Sequence, residues 1–203
     1  MQEHNRASAW FNELYQEHKE NHKNIPWARG AVNPLLESYL SNKTETHTGK
    51  ALVIGCGLGD DAYALDLAGY NVIAIDVSEV ALELAKEKFP DSKISFELQD
   101  IFDMPLKYKE HFDFVFEALT IQSLPIEFRK KMISAIADTL ALNAKLLLVA
   151  HKKEDAFKGP PWPLTQAEVD LFKLYGLKEL IAQLHTEESK ISNTRFRILY
   201  QKK

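Results

Sequence analysis

Short runs of consecutive apolar residues alternate with longer amphipathic segments along most of the chain. The runs predict strands buried on both faces of a sheet, and we expect five of them, at residues 51–54, 71–76, 94–98, 112–116 and 145–150. Apolar positions at helical spacing predict helices between them, at residues 61–68, 78–89 and 126–140. Strands that alternate with helices indicate a doubly wound α/β sheet whose strands are mostly parallel.

The two ends of the chain depart from this alternation. Near the start, apolar side chains recur at helical spacing around Trp10 and again around Leu36, which predicts N-terminal helices. After the proline-rich segment 159–163 and one more helix, the strand-like segments 177–185 and 191–200 have no helix between them and should pair as a hairpin. The expected fold is a seven-stranded, mostly parallel sheet with an antiparallel C-terminal hairpin and N-terminal helices.

Composition predicts one domain and excludes several classes of protein. The chain has 203 residues, of which 45% are hydrophobic, enough for a single sizeable core. We expect one domain over 1–203, made of a helical cap, 1–49, and a core, 50–203. The longest apolar stretches, such as 146–150, are far shorter than the roughly 20 residues that span a bilayer.

Charge and cysteine content predict the compartment and the partners. A single cysteine and the absence of an N-terminal signal pattern favour the cytoplasm. The net charge of −4 without a basic block argues against a nucleic-acid partner. Neither feature distinguishes a monomer from a homodimer. His18 and His22 have helical spacing but lie among charged residues, so we predict a solvated face and no metal site.

A glycine-rich segment, Gly55-Cys56-Gly57-Leu58-Gly59, follows the first predicted strand. Glycine lets the backbone turn sharply and approach a ligand where a β-carbon would clash. Asp76 ends the second predicted strand, where a carboxylate can accept both hydroxyls of a ribose. The pattern predicts a nucleotide-like ligand; the alternative is a tight turn beside an incidental aspartate. We interpret Cys56 as a small residue rather than a nucleophile, because no histidine stands beside it in the sequence.

Acidic residues narrow the choice of ligand. Asp60 stands where a dinucleotide-binding turn needs its third glycine, and Asp61 follows it. Two carboxylates at this helix start would repel a pyrophosphate but not a cationic ligand that lacks phosphate. Asp100, at the end of the third predicted strand, is an acceptor suited to an exocyclic amine, and its alternative is a surface-turn residue.

These motifs, in this order, resemble those of class I S-adenosylmethionine-dependent methyltransferases. The resemblance rests on Gly55-x-Gly57-x-Gly59, Asp76, Gln99-Asp100-Ile101 and Phe112-Asp113-Phe114-Val115. It implies a Rossmann-like methyltransferase fold with S-adenosyl-L-methionine as cofactor. It also implies the cofactor-binding residues, which are Gly55, Cys56, Gly57 and Gly59 at the methionine part, Asp76 and Val77 at the ribose, and Asp100, Ile101 and Phe102 at the adenine.

The N-terminal segment Ile25-Pro26-Trp27-Ala28-Arg29-Gly30 resembles the entry of the thiopurine and thiol methyltransferase group. That resemblance implies that Trp27 covers the methionine end of the cofactor and that Arg29 lies at the substrate. It also favours a small thiol or similar soft nucleophile as the methyl acceptor. The alternative for Trp27 is a core aromatic that joins the N-terminal helices to the sheet.

Four further residues are expected where ligands bind in such a sheet, beyond the carboxyl ends of the strands. Glu117, after the fourth predicted strand, can bind the cofactor, orient a substrate or accept its proton, or else serves as a helix-capping acid. Gln122 lies in the same segment and is a candidate substrate contact. His151, after the fifth predicted strand, is a candidate base or a solvated histidine. Trp162, in a proline-rich loop, can form the wall of a substrate pocket or part of a rigid connector.

Two other functions stay open from the sequence. One is an NAD-dependent oxidoreductase, against which Asp60 and the C-terminal hairpin argue. The other is a non-catalytic protein that binds S-adenosylmethionine or S-adenosylhomocysteine, because binding and turnover use the same glycines.

Overall fold

The computed structural model describes residues 3–19, 21, 24–25, 27–41, 47–154, 159–186 and 192–203. His22 and Pro26, which entered the sequence predictions, lie outside these residues. The chain divides into two compact units, Met1–Asp100 and Ile101–Lys203. The expected division into a cap, 1–49, and a core, 50–203, stays a prediction.

The first unit combines two N-terminal helices with three parallel strands. Its elements are α1 (Glu3–Glu17), α2 (Pro34–Leu40), β1 (Lys50–Ile54), α3 (Asp60–Ala68), β2 (Asn71–Asp76), α4 (Glu79–Lys88) and β3 (Ser95–Leu98). Strand β2 pairs in parallel with β1 and with β3. Helix α3 ends at Gly69, whose φ of 110° is readily adopted only by glycine. Helix α4 begins after Ser78, whose side chain accepts a hydrogen bond from the amide of Ala81.

The second unit carries the other four strands. Its elements are β4 (Phe112–Ala118), α5 (Arg129–Thr139), β5 (Leu140–His151), α6 (Gln166–Val169), α7 (Leu171–Leu174), β6 (Leu177–Thr186) and β7 (Thr194–Lys202). Strand β5 pairs in parallel with β4 and antiparallel with β7, and β7 pairs antiparallel with β6. The inner strands are apolar on both faces; Leu146, Leu147 and Leu148 are all fully buried.

The predicted fold class is confirmed. Seven strands follow the order β3-β2-β1-β4-β5-β7-β6, and the two C-terminal strands form the expected antiparallel hairpin. Among the described residues, no helix is both long and apolar enough to cross a membrane.

The sequence pattern placed several boundaries wrongly. Strand β4 extends to Ala118, so Glu117 lies within the strand and not in the loop after it. Strand β5 runs from Leu140 to His151, which places His151 inside the strand. The predicted helix 126–140 is an α-helix only from Arg129, and the predicted helix 166–175 consists of two short helices. Pairing between strands decides these ends: Glu117 and Ala118 continue the ladder opposite Leu148 and Val149.

Candidate active site

The glycine turn between β1 and α3 has the backbone that its sequence predicts. Gly55, Gly57 and Gly59 have φ angles of 61°, 52° and 82°, a region that favours glycine. The turn is tied to the sheet because the Cys56 amide donates to the Ile75 carbonyl at 3.0 Å.

Neighbouring side chains are a second reason for glycine at positions 57 and 59, because they leave little room for a β-carbon. A β-carbon on Gly57 would lie 2.8 Å from the hydroxyl of Tyr15, and one on Gly59 would lie 3.1 Å from the side chains of Ala85 and Phe96. Gly59 therefore permits the turn to pack against α4 and β3. At Gly57 the group that approaches the backbone is a tyrosine hydroxyl from α1.

Asp76 lies at the end of β2 with its carboxylate held against the glycine turn. Oδ2 accepts a hydrogen bond from the Gly57 amide at 2.9 Å, and Oδ1 accepts one from the Ser78 amide at 2.9 Å. The side chain is buried, and burial raises its pKa while these amides lower it. Each carboxylate oxygen has a second lone pair, so a fixed acceptor pair remains available for a ligand.

Helix α1 supplies residues to this site that sequence reasoning did not identify. The indole Nε1 of Trp27 donates to the Tyr15 hydroxyl at 2.8 Å, and the Trp27 ring also packs edge-on against Phe11. Asn12 Oδ1 accepts hydrogen bonds from the Ser78 hydroxyl at 2.9 Å and from the Val80 amide at 3.3 Å. The sequence presented Tyr15 only as one apolar position of a helical pattern, and nothing marked Asn12.

The acidic pair at the start of α3 has partners within the protein. Asp60 forms an ion pair with Lys88 at 2.7 Å. Asp61 accepts a hydrogen bond from the Asn33 amide at 2.7 Å, and burial raises its pKa to about 6, although the Asn33 bond and the charge of Arg29 lower it. Because both carboxylates are already engaged, they influence the choice of ligand less than the sequence suggested.

Four further predicted residues belong to the first unit. Arg29 and Val77 are exposed, and Asp100 is half-buried at the end of the unit. Burial raises the pKa of the Cys56 thiol, and the negative charge of Asp76 raises it further. That direction opposes thiolate formation, in agreement with the interpretation that Cys56 is not a nucleophile.

Glu117 in the second unit is fully buried. Its Oε1 accepts hydrogen bonds from the amides of Thr120 at 2.7 Å and Ile121 at 2.9 Å, whereas its buried Oε2 has no hydrogen-bond partner within the described part of the chain. Burial raises the pKa of this carboxyl to about 7, against the lowering effect of the two amides. Leu119, with a φ of 67°, turns the chain so that both amides reach Oε1.

Hydrogen bonds join the other three predicted residues of the second unit into one cluster. The His151 amide donates to Gln122 Oε1 at 2.7 Å, and the Trp162 amide donates to the Gln122 carbonyl at 2.7 Å. The Leu164 amide donates to the His151 carbonyl at 2.8 Å. His151 is 2% exposed, so the expectation of a solvated strand-end histidine is wrong. Gln122 is equally buried, and its amide oxygen accepts the hydrogen bond from the His151 backbone amide.

Arg129 anchors the loop that carries Trp162, a role that sequence reasoning missed. Its guanidinium donates to the Trp162 carbonyl at 2.6 Å and forms an ion pair with Glu168 at 2.5 Å. Glu168 also forms a capping box with Thr165 at the start of α6. Nothing in the sequence indicated this role, because the predicted helix begins at residue 126 and places Arg129 inside it.

The two predicted adenine neighbours in the second unit lie in a short 3₁₀ helix, Ile101–Asp103. Ile101 is buried, and Phe102 is half-buried with its ring 6.2 Å from Phe128 and 4.7 Å from Lys131 Nζ. Within the part of the chain that the structure describes, no three His, Cys, Asp or Glu side chains are grouped to hold a metal ion.

Comparison with protein families gives one match over most of the chain. Residues 12–199 match the model of the thiopurine S-methyltransferase family. Thiocyanate methyltransferase 1 of Brassica oleracea is 30% identical over 141 residues, which are 68% of this chain and 61% of that protein. Thiopurine S-methyltransferase of Marinobacter nauticus is 26% identical over 168 residues, 75% of this chain and 76% of that protein. The chain thus spans about three fifths of the length of the plant relative.

Solved structures share the fold at low sequence identity. The magnesium protoporphyrin IX methyltransferase of Synechocystis PCC 6803, solved with bound S-adenosylhomocysteine, has a TM-score of 0.76 and is 16% identical, covering 97% of this chain and all of that one. The N-methyltransferase NodS of Bradyrhizobium japonicum, with the same bound ligand, has a TM-score of 0.72 and is 18% identical, covering 94% of this chain and 97% of that one.

Proposed function

Since the chain belongs to the thiopurine S-methyltransferase family, we propose that it transfers a methyl group from S-adenosyl-L-methionine to a small sulfur nucleophile. The observation that carries this proposal is the Asp76 carboxylate, held against the glycine turn by the amides of Gly57 and Ser78. Family membership also removes the reason to consider an NAD-dependent oxidoreductase.

The first unit fits the proposed cofactor. Asp76 offers two fixed acceptor oxygens, which match the two hydroxyls of a ribose. Gly55, Gly57 and Gly59, with Cys56 between them, would border the methionine part, and Trp27 would cover it together with Tyr15. Val77 would lie at the ribose and Asp100 at the adenine. We assign Ile101 and Phe102, which belong to the second unit, to the adenine as well.

The chemistry requires little of the protein beyond placement. When bound, S-adenosylmethionine supplies a methyl group already activated by its sulfonium charge. The protein holds the acceptor in line with that group and excludes water, and orientation accounts for most of the lowering of the barrier. We assign acceptor binding to Arg29, Gln122 and Trp162, and proton handling to Glu117 and His151.

The names of the relatives support a sulfur compound as the methyl acceptor. Thiocyanate, thiol and thiopurine methyltransferases are all named for a soft sulfur acceptor. We extend the same class to this chain. We further propose that the protein acts in the cytoplasm on a small molecule rather than a nucleic acid, as a monomer or a homodimer; the single cysteine and the net charge of −4 support this.

Two measurements on the purified chain test the proposal. Calorimetry should detect micromolar binding of S-adenosylmethionine and S-adenosylhomocysteine and none of NAD. Incubation with S-adenosylmethionine and the acceptors 2-mercaptoethanol, benzenethiol and thiocyanate should yield a methylated product. Binding without any product would favour the non-catalytic binder, and binding of NAD alone would overturn the assignment of the glycine turn.

A further inference from the structure

Glu117 is a buried carboxylate of which the fold uses only one oxygen. Its Oε1 accepts the amides of Thr120 and Ile121, and the amide oxygen of a glutamine would accept the same two bonds. Its Oε2 is buried and has no donor among the residues that the structure describes. Removing a charged oxygen from water without a partner costs free energy, so a residue selected for stability alone would not be a glutamate here.

No counter-charge offsets this cost among the described residues. Glu117 forms no ion pair within them, and the cation in the same unit that is most deeply buried, Arg129, is engaged by Glu168 and by the Trp162 carbonyl. From β5, Leu148 lies opposite Glu117. His151 ends that strand, and its backbone amide and carbonyl are bound to Gln122 and Leu164. Glu117 is therefore a carboxyl group without an ion-pair partner among the described residues, and burial raises its pKa to about 7.

We propose that Oε2 of Glu117 accepts the proton of a neutral sulfur acceptor, so that this chain selects thiols over acceptors that are already anions. The inference rests on the proposed function and deepens it. The S–H bond of the thiol breaks and its proton passes to Oε2, while a sulfur–methyl bond forms as the methyl–sulfonium bond of S-adenosylmethionine breaks, leaving S-adenosylhomocysteine. The proton is then lost to water. Thiocyanate and iodide bring no proton, and an ionised Glu117 repels them.

The test compares acceptors that differ in whether they must lose a proton. 2-Mercaptoethanol is largely protonated near neutral pH, whereas 4-nitrobenzenethiol and thiocyanate are anions there. The wild type should turn over 2-mercaptoethanol faster than thiocyanate. Glu117→Gln keeps both amide bonds and should lower kcat for 2-mercaptoethanol by about 10²-fold or more, the usual contribution of a general base. The decrease in kcat of Glu117→Gln with the two anionic acceptors, 4-nitrobenzenethiol and thiocyanate, should be much smaller.

A matched control and a readout independent of activity complete the experiment. Glu127→Gln removes an exposed carboxylate from the same unit and should change none of these rates. In the cofactor-free protein, ¹³C NMR of labelled glutamate side chains should show one carboxyl that titrates near pH 7 and is missing in Glu117→Gln.

Each failure has a distinct meaning. A wild type that methylates none of the acceptors contradicts the proposed function itself. A wild type that prefers thiocyanate, or a Glu117→Gln variant that loses all acceptors equally, overturns only the role of Glu117. So does a Glu117 carboxyl that ionises at the ordinary value for glutamate.

Discussion

Two backbone amides fix the carboxylate of Asp76, and this is the residue-scale feature on which the proposed cofactor binding depends most directly. The Gly57 amide binds one oxygen and the Ser78 amide binds the other, so the side chain does not have to be ordered when a ligand arrives. Pre-ordered acceptors of this kind add affinity because the entropic cost is met during folding.

Asp76→Ala should therefore weaken binding of S-adenosylhomocysteine by about 1–3 kcal/mol, because two ligand hydroxyls would lose their acceptors. Calorimetry on the folded variant measures the change. Asp91→Ala, which removes an exposed aspartate after α4, should leave the affinity as it is. Equal affinity of wild type and Asp76→Ala would refute the assignment of Asp76 to the ribose.

The sequence predicted the glycine turn well because the φ preference of a residue depends on the residue itself and its immediate neighbours. A φ near 60° at Gly55 and Gly57 favours glycine whatever surrounds the turn. Burial is not local, and there the sequence misled. A solvated strand end was one expectation for His151, but this residue is 2% exposed. Strand β7 pairs with β5 as far as the end of β5, where Arg195 lies opposite His151.

At the scale of elements, Arg129 joins three segments of the second unit. It begins α5, binds the carbonyl of Trp162 in the proline-rich loop, and pairs with Glu168 in α6. The guanidinium itself is 3% exposed, so its charge depends on these partners. The loop proposed to line the acceptor pocket therefore takes its position from a helix that is remote from it in sequence.

Arg129→Met should lower the free energy of unfolding by about 3 kcal/mol, because Glu168 and the Trp162 carbonyl would lose their shared donor. We expect the lower end of the range for buried ion pairs, since the side chain of Glu168 is 21% exposed. Urea unfolding measures the change, and Lys130→Met, at an exposed neighbouring position, serves as the control. A loss no greater than that of the control would contradict the anchoring role.

Element types followed from the pattern more reliably than element ends. Strand β2 spans Asn71–Asp76, as its apolar run predicts, and Ser78 begins α4 as expected. The ends of β4 and β5 were wrong because strands continue for as long as a neighbour pairs with them. That length depends on the neighbouring strand and not on the residues' own preferences.

At the scale of the whole molecule, buried carboxylates make stability depend on pH. Burial raises the pKa of Glu117 from 4.5 to about 7 and that of Asp61 from 3.8 to about 6. In this range the folded protein holds protons that the unfolded chain has released. The free energy of unfolding therefore falls as pH rises from about 4 to about 7. Above the pKa values that Glu117 and Asp61 have in the folded protein, these two groups cause no further decrease.

Wild type should be more stable near pH 5 than near pH 8, and Glu117→Gln should remove up to about 3 kcal/mol of that difference. Urea unfolding of both proteins at the two pH values measures it. Glu127→Gln should keep the wild-type dependence because its carboxylate is exposed. If Glu117→Gln shows the same pH dependence as wild type, the burial of a titrating Glu117 is wrong.

The sequence by itself determined the fold class and the glycine turn, because periodicity and backbone φ preferences are read from neighbouring residues. The kinship with methyltransferases came from the resemblance of its ordered motifs to those of that family. Only the tertiary structure decided which polar groups are buried and what they touch. Tyr15 meets Gly57, Arg129 holds the loop of Trp162, and Glu117 retains an oxygen without a donor. These contacts join residues distant along the chain or depend on exclusion from water, so they exist only once the elements have packed.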